Sequence, residues 1–291
     1  MLPYNPFETA KLNGVPLILD GAIGSMLQQK GFTAHPDLWM SKFNITNPNV
    51  LFEIHKEYII AGADIITTNT FRTNPAAFKG AGYPFDSIYV REAVKIAKDA
   101  SENSKVLIAG SNPPAEDCYQ SKRKIPNKLL QINHSNHIDL LIDSGVDFIL
   151  NETLSHFDEI KIICEHCSSN NIPYIVSFYF DDNLSIFTGE HINYTIEYAA
   201  DHNPLAMGFN CIAPILFKKM LRNIIPKSNW GFYLNCGIGN PQDENIICGV
   251  DPTEYAEIVN EAIKYEPSFV GACCGSNPNH IKEIKKIYEK D

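Results

Sequence analysis

Asp147-Phe148-Ile149-Leu150-Asn151-Glu152-Thr153 enters on an acidic residue, runs through unbroken apolar side chains and leaves on three polar ones. A strand with one wet face alternates apolar and polar residues, so an unbroken run predicts a strand covered on both faces, as parallel strands are. The same pattern returns at residues 15–20, 63–68, 105–110, 173–180, 205–210, 230–235 and 269–272. Between the runs lie amphipathic segments: Phe85, Ile88, Tyr89, Ala93, Ile96, Ala97 and Ala100 recur at helical spacing, as do Tyr255, Ile258, Val259, Ala262 and Ile263. Asn47-Pro48, Asp251-Pro252 and Asn277-Pro278 each set a capping side chain before a proline suited to the first helical turn, and Glu254 is placed to complete a capping box. Eight strands alternating with helices predict a (β/α)8 TIM-type barrel. The runner-up, an open doubly wound sheet, would carry a glycine-rich phosphate loop after its first strand, but Asp20-Gly21-Ala22-Ile23-Gly24 has no G-x-G-x-x-G. No linker or shift of composition divides the chain, so residues 1–291 are expected to form a single domain.

Of 291 residues, 24 are basic and 34 acidic, a net charge of −10, and the one basic block is Lys122-Arg123-Lys124. That balance repels nucleic acid and anionic membrane alike, which points to a small molecule or another protein as partner. Met1-Leu2-Pro3-Tyr4 lacks the basic-then-apolar pattern of a secretory signal, and no apolar run nears the roughly 18 residues that span a bilayer. The expected location is cytoplasmic, where eight cysteines read as thiols, metal ligands or core fillers before disulfides.

In a barrel, the C-terminal strand ends line one mouth. Here those ends are Asp20-Gly21, Thr68-Asn69-Thr70, Ser111-Asn112, Asn151-Glu152-Thr153, Asn210-Cys211, Asn235-Cys236 and Cys273-Cys274, and longer connections at 31–44, 113–126 and 237–250 fall on the same face. Cys211 closes the sixth run and Cys273-Cys274 the eighth, on one side of the mouth, where three thiolates suit zinc with a position left open. The competing reading is that all three are small core residues. Three thiolates make zinc a weak Lewis acid for activating water, so a substrate thiol entering as fourth ligand, followed by alkyl transfer to sulfur, fits better than hydrolysis. Asp20 and Glu152 are placed to face an ammonium group, and backbone N–H groups at Gly21 and Ala22 to receive a carboxylate. Glu152 as a general acid or base, and Asp20 as a turn former, stay open. Two patterns are read as structural: Cys164 and Cys167 share a helical face and belong to the core, while His134 and His137 are expected as exposed polar residues on the outer wall. Cys118, Cys236 and Cys248 lie in or near mouth loops without an assigned role.

On these residues the chain resembles the zinc-dependent homocysteine S-methyltransferases, a group that includes S-methylmethionine- and betaine-dependent enzymes and the homocysteine module of cobalamin-dependent methionine synthase. The resemblance runs through residues 20–28, 61–71, Glu152-Thr153, Gly208-Phe209-Asn210-Cys211 and Gly271-Ala272-Cys273-Cys274-Gly275. It implies the same barrel, Zn2+ held by Cys211, Cys273 and Cys274, homocysteine bound at Asp20 and Glu152, with Gly21, Ala22 and Asn69 as further substrate contacts, and Asn235 as the fourth metal ligand when substrate is absent. The departures are Ala272 for a usual glycine, Phe209 for a small aliphatic residue and Cys236 for a small one, and 110–114 matches only loosely. The implied partners are L-homocysteine and a small methyl donor, S-methylmethionine or S-adenosylmethionine before betaine. A methylated corrinoid protein is the alternative donor, and a non-catalytic binding subunit or a zinc hydrolase the alternative roles.

Overall fold

The computed structural model describes residues 4–224, 228–238 and 246–289. Seven of the predicted runs give β1 (Leu17–Ile18), β2 (Ile65–Thr67), β3 (Leu107–Asn112), β4 (Phe148–Leu154), β5 (Tyr174–Phe178), β6 (Ala206–Asn210) and β7 (Trp230–Leu234). A small antiparallel ribbon, β8 (Gly237–Ile238) and β9 (Ile247–Cys248), follows, and the eighth run is β10 (Phe269–Ala272). The order β1-β10-β7-β6-β5-β4-β3-β2 is parallel throughout. A parallel bridge between Leu19 and Ile65, supported by Asp20 N–H donating to the Ile65 carbonyl at 2.9 Å, closes the sheet into a barrel. The unbroken apolar runs have the predicted cause: β5, β6, β7 and β10 are buried at every position, between the barrel interior and the helices outside.

The helices are α1 (Pro6–Asn13), α2 (Ile23–Gln29), α3 (Phe43–Thr46), α4 (Pro48–Ala61), α5 (Pro75–Gly80), α6 (Ile88–Ser101), α7 (Asn127–Ser144), α8 (Phe157–Ser169), α9 (Ile192–Ala200), α10 (Pro214–Leu221), α11 (Pro252–Ala262) and α12 (Pro278–Tyr288). Asp251 caps α11 through Thr253 and Glu254 N–H, but no reciprocal bond from the Glu254 side chain forms among the described residues. The capping box sits instead at α12, where Asn277 N–H donates to His280 Nδ1 at 3.1 Å; Asn47 caps α4 through no side-chain bond. The interior of the barrel is plugged from below by α1. Its Phe7 meets Phe148 and Phe269 edge-on, with ring centroids 5.5 and 5.6 Å apart.

Cys164 and Cys167 lie in the core on α8, as their shared face predicts. The reading of His134 and His137 is corrected. Both are fully buried on the face of α7 that meets the barrel, because partners from other elements satisfy their nitrogens. His134 pairs with Glu159 on α8 at 2.7 Å and with Asn112 on β3 at 3.2 Å, and His137 with the same Asn112 at 2.8 Å and with Thr73 at 2.9 Å.

Candidate active site

The C-terminal strand ends surround a cavity of about 370 Å³. Segments 34–39, 71–72 and 117–119 form further parts of its wall, as expected for 31–44 and 113–126; of the connection 237–250, residues 239–245 lie outside the described residues. No helix among the described residues is long and apolar enough to cross a membrane.

Cys211 follows β6 at φ 56°, a left-handed conformation unusual for a side chain with a Cβ. Its N–H is held by the Tyr233 carbonyl at 3.0 Å. Thr153, near the end of β4, has a similar φ of 59°, and Asn210 locks the two strand ends together: its Oδ1 accepts from Thr153 N–H at 2.8 Å and from Ser177 Oγ at 2.7 Å. Cys273 N–H is held by the Leu234 carbonyl at 2.8 Å, and Cys236 N–H donates to the Cys274 carbonyl at 2.8 Å. Gly275 then turns at φ 84°, where a Cβ would lie 2.6 Å from the Gly237 nitrogen.

The three sulfurs lie within 4.8 Å of one another, with Cys211–Cys274 at 3.5 Å and Cys273–Cys274 at 4.0 Å. Sulfurs bound tetrahedrally at zinc–sulfur lengths of 2.3 Å stand about 3.8 Å apart, so the two closer pairs already lie near the spacing a zinc ion needs. The thiols of Cys273 and Cys274 hold Cys211 well below the ordinary thiol range, and those two, by sharing their protons with it, are raised. Tyr119, from the connection after β3, sets its hydroxyl 3.0 Å from Cys211 Sγ. Burial first, then the charge on Cys211, pushes Tyr119 up, so it keeps its proton and donates to the thiolate. No motif in the sequence marks Tyr119, since a loop residue is placed by packing rather than by periodicity; its ring rests edge-on against Tyr179, 5.2 Å away.

Asp20 accepts from Thr67 N–H at 2.9 Å and Thr67 Oγ at 3.0 Å. Burial nevertheless raises its carboxyl well above the usual range. Glu152 accepts from Ser111 Oγ and from Tyr233 OH, and burial pushes it up to about 7 despite those bonds, the charge on Cys211 adding to the shift. A cation brought against two such acids would draw both toward their ionised forms. Gly21 faces Ser276 Oγ and Tyr58 OH, which a Cβ would approach to 2.6 and 2.7 Å. Ala22 N–H, expected to be open to a carboxylate, donates to Ser276 Oγ at 3.1 Å. Asn69 lines the cavity but engages its amide nitrogen with Met40 and Asn44, at 3.0 and 2.8 Å. Asn235 Oδ1 accepts from Gly237 N–H at 2.7 Å. Cys118 is a buried part of the cavity wall; Cys236 is buried too, and Cys248 has its sulfur 3.3 Å from the Val250 carbonyl.

Residues 17–288 match a family model described as homocysteine S-methyltransferase. Among curated relatives, a selenocysteine Se-methyltransferase of Brassica oleracea var. italica is 24% identical, covering 97% of this chain and 92% of that one. Homocysteine S-methyltransferase 2 of Arabidopsis thaliana is 23% identical over 95% and 94%, and homocysteine S-methyltransferase of Escherichia coli (strain K12) is 27% identical over 68% and 69%. The metallated form of the Escherichia coli homocysteine methyltransferase MmuM superposes with a TM-score of 0.81 at 23% identity, covering 97% of this chain and 99% of that one, a match of fold.

Proposed function

The chain belongs to the homocysteine S-methyltransferase family, and from that premise we propose that it moves a methyl group from a small onium donor to the thiol of L-homocysteine with the help of zinc. S-methylmethionine and S-adenosylmethionine are the favoured donors. The observation that carries the reading is the meeting of three cysteine sulfurs within 4.8 Å in the wall of a cavity that also holds Asp20 and Glu152. Cys211, Cys273 and Cys274 would hold the metal, and Asn235, whose amide oxygen has a second lone pair beyond its bond to Gly237, would complete the set without substrate. Bound zinc leaves a position for a thiol and lowers its pKa, which supplies a sulfur nucleophile at neutral pH.

Asp20 and Glu152 would take the homocysteine ammonium, with Gly21 and Ala22 letting the backbone approach and Asn69 bounding the site. The homocysteine sulfur attacks the methyl carbon in line; the new C–S bond forms as the donor's C–S bond breaks, and the electron pair leaves on the donor as a neutral thioether. The cavity walls would orient the two molecules. We take residues 1–291 to act as one homocysteine-binding barrel in the cytoplasm, where reducing conditions keep the thiols free.

The test is zinc content and methionine formation measured together, for the wild type and Cys273→Ala, with homocysteine and S-methylmethionine, S-adenosylmethionine, betaine or a methylated corrinoid protein. About one zinc per chain, turnover with a small onium donor and loss of both in the variant are expected. Active zinc-free protein overturns the metal's role, turnover with the corrinoid protein alone overturns the donor, and a stable complex without turnover leaves a binding subunit.

A further inference from the structure

The cavity wall carries four acids among its described residues, Asp20, Asp37, Asp117 and Glu152, but a single arginine and no lysine. That arginine is Arg72, on the turn after β2, a turn tied down by Thr70 Oγ donating to the Ser111 carbonyl at 2.6 Å and by Thr73 at His137. Its Nη1 donates to the Glu116 carbonyl at 2.9 Å, and its guanidinium lies 5.5 Å from the centre of the Phe71 ring. No carboxylate among the described residues forms an ion pair with it, although a guanidinium has five donors in a planar fork. A cation held on a cavity wall by one carbonyl and one ring is set up to receive an anion.

On the proposed reaction, the deep end of the cavity is accounted for: the thiol goes to the cysteines and the ammonium to the acids at the ends of β1 and β4. Arg72 belongs to another part of the wall, the turn after β2, bonded to the same connection that sets Tyr119 beside Cys211. That leaves this part of the wall to the methyl donor. An unpaired guanidinium repels a bare onium ion but pairs with a zwitterion through its carboxylate, while Trp39 and Tyr119 line the same cavity as aromatic neighbours for the onium end. We propose that Arg72 is the seat of the donor's carboxylate, so that this barrel selects onium zwitterions over onium ions without an anionic group. The inference rests on the methyl-transfer reading and narrows its donor.

The experiment compares S-methylmethionine with dimethylpropylsulfonium, which has the sulfonium and no carboxylate, on zinc-loaded wild type, Arg72→Gln and Arg72→Lys. Calorimetry reads binding, and steady-state kinetics read KM for donor and for homocysteine. The wild type should bind S-methylmethionine the more tightly, by about 10- to 100-fold. Arg72→Gln should erase that preference and raise the donor KM by a similar factor with the homocysteine KM unchanged, and Arg72→Lys should restore part of it. Equal binding of the two by the wild type, no binding of either, a preference that survives Arg72→Gln, or a change confined to the homocysteine KM would each overturn the proposal. Should Arg72→Gln fail to fold, the wild-type preference and Arg72→Lys still decide. Carboxylate-dependent binding without methionine formation would support the Arg72 seat while overturning the reaction.

Discussion

On the proposed reaction, function and stability pull in opposite directions at Glu152. Its partly buried carboxyl, pushed up to about 7, stays protonated in the folded chain where an unfolded one has ionised. A carboxyl raised in this way contributes stability that is complete below its ordinary value near 4.5 and is lost as pH rises through about 7. Glu152→Gln keeps the neutral form at every pH. Its unfolding free energy should therefore gain on the wild type between those values, by up to about 1.4 kcal/mol per pH unit, while methionine formation falls. Denaturant unfolding at both ends of the window measures this, and a difference that is flat with pH would show that the folded chain ionises Glu152 normally. Such residues were legible because a polar side chain closing a buried run must face the barrel mouth. Tyr119 was not legible, and neither was the left-handed φ of Cys211, since both depend on contacts with distant residues.

At the scale of elements, the strands followed from their runs, whereas α7 shows how periodicity misleads. Apolar spacing marks the face a helix buries, and buried histidines were unreadable because their partners come from β3, α8 and the turn after β2. Burial also pushes His137 down to about 3, so it is neutral within this network. Glu159 Oε1 takes both His134 and the N–H of Ala115, at 2.7 and 2.8 Å, and so anchors the start of the connection that carries Tyr119. Glu159→Leu leaves two buried groups without their acceptor. It should destabilise the fold by about 3 kcal/mol or more and speed amide exchange across residues 113–126 ahead of β4. Thermal unfolding and hydrogen exchange read the two effects, and uniform exchange across the chain would deny this network a local hold on the loop.

At the scale of the whole molecule, the barrel separates what stabilises it from what reacts. The N-terminal end is filled by α1, whose Asn5 caps the helix at Phe7 N–H and reaches the Leu205 carbonyl at 2.9 Å just before β6. That plug left no mark in the sequence reading, because a short N-terminal helix carries little periodicity. The opposite end gathers the sulfurs, just past β6 and β10, two strands that β7 keeps apart. Metal bound there would tie non-adjacent strands together, so its removal should lower the melting temperature as well as the activity. Phe7→Ala opens a cavity at the other end and should cost about 3–5 kcal/mol. Phe7 and Cys273 border the same interior apolar cluster from opposite ends of the barrel, so their effects should add to within the small coupling that cluster carries, with Phe7→Ala retaining its zinc. Melting temperatures of the wild type and Phe7→Ala, each with and without chelator, form the cycle that tests this. A zinc-deficient Phe7→Ala would mean that the plug sets the spacing of the sulfurs at the far end of the same strands, and that the barrel works as one rigid body.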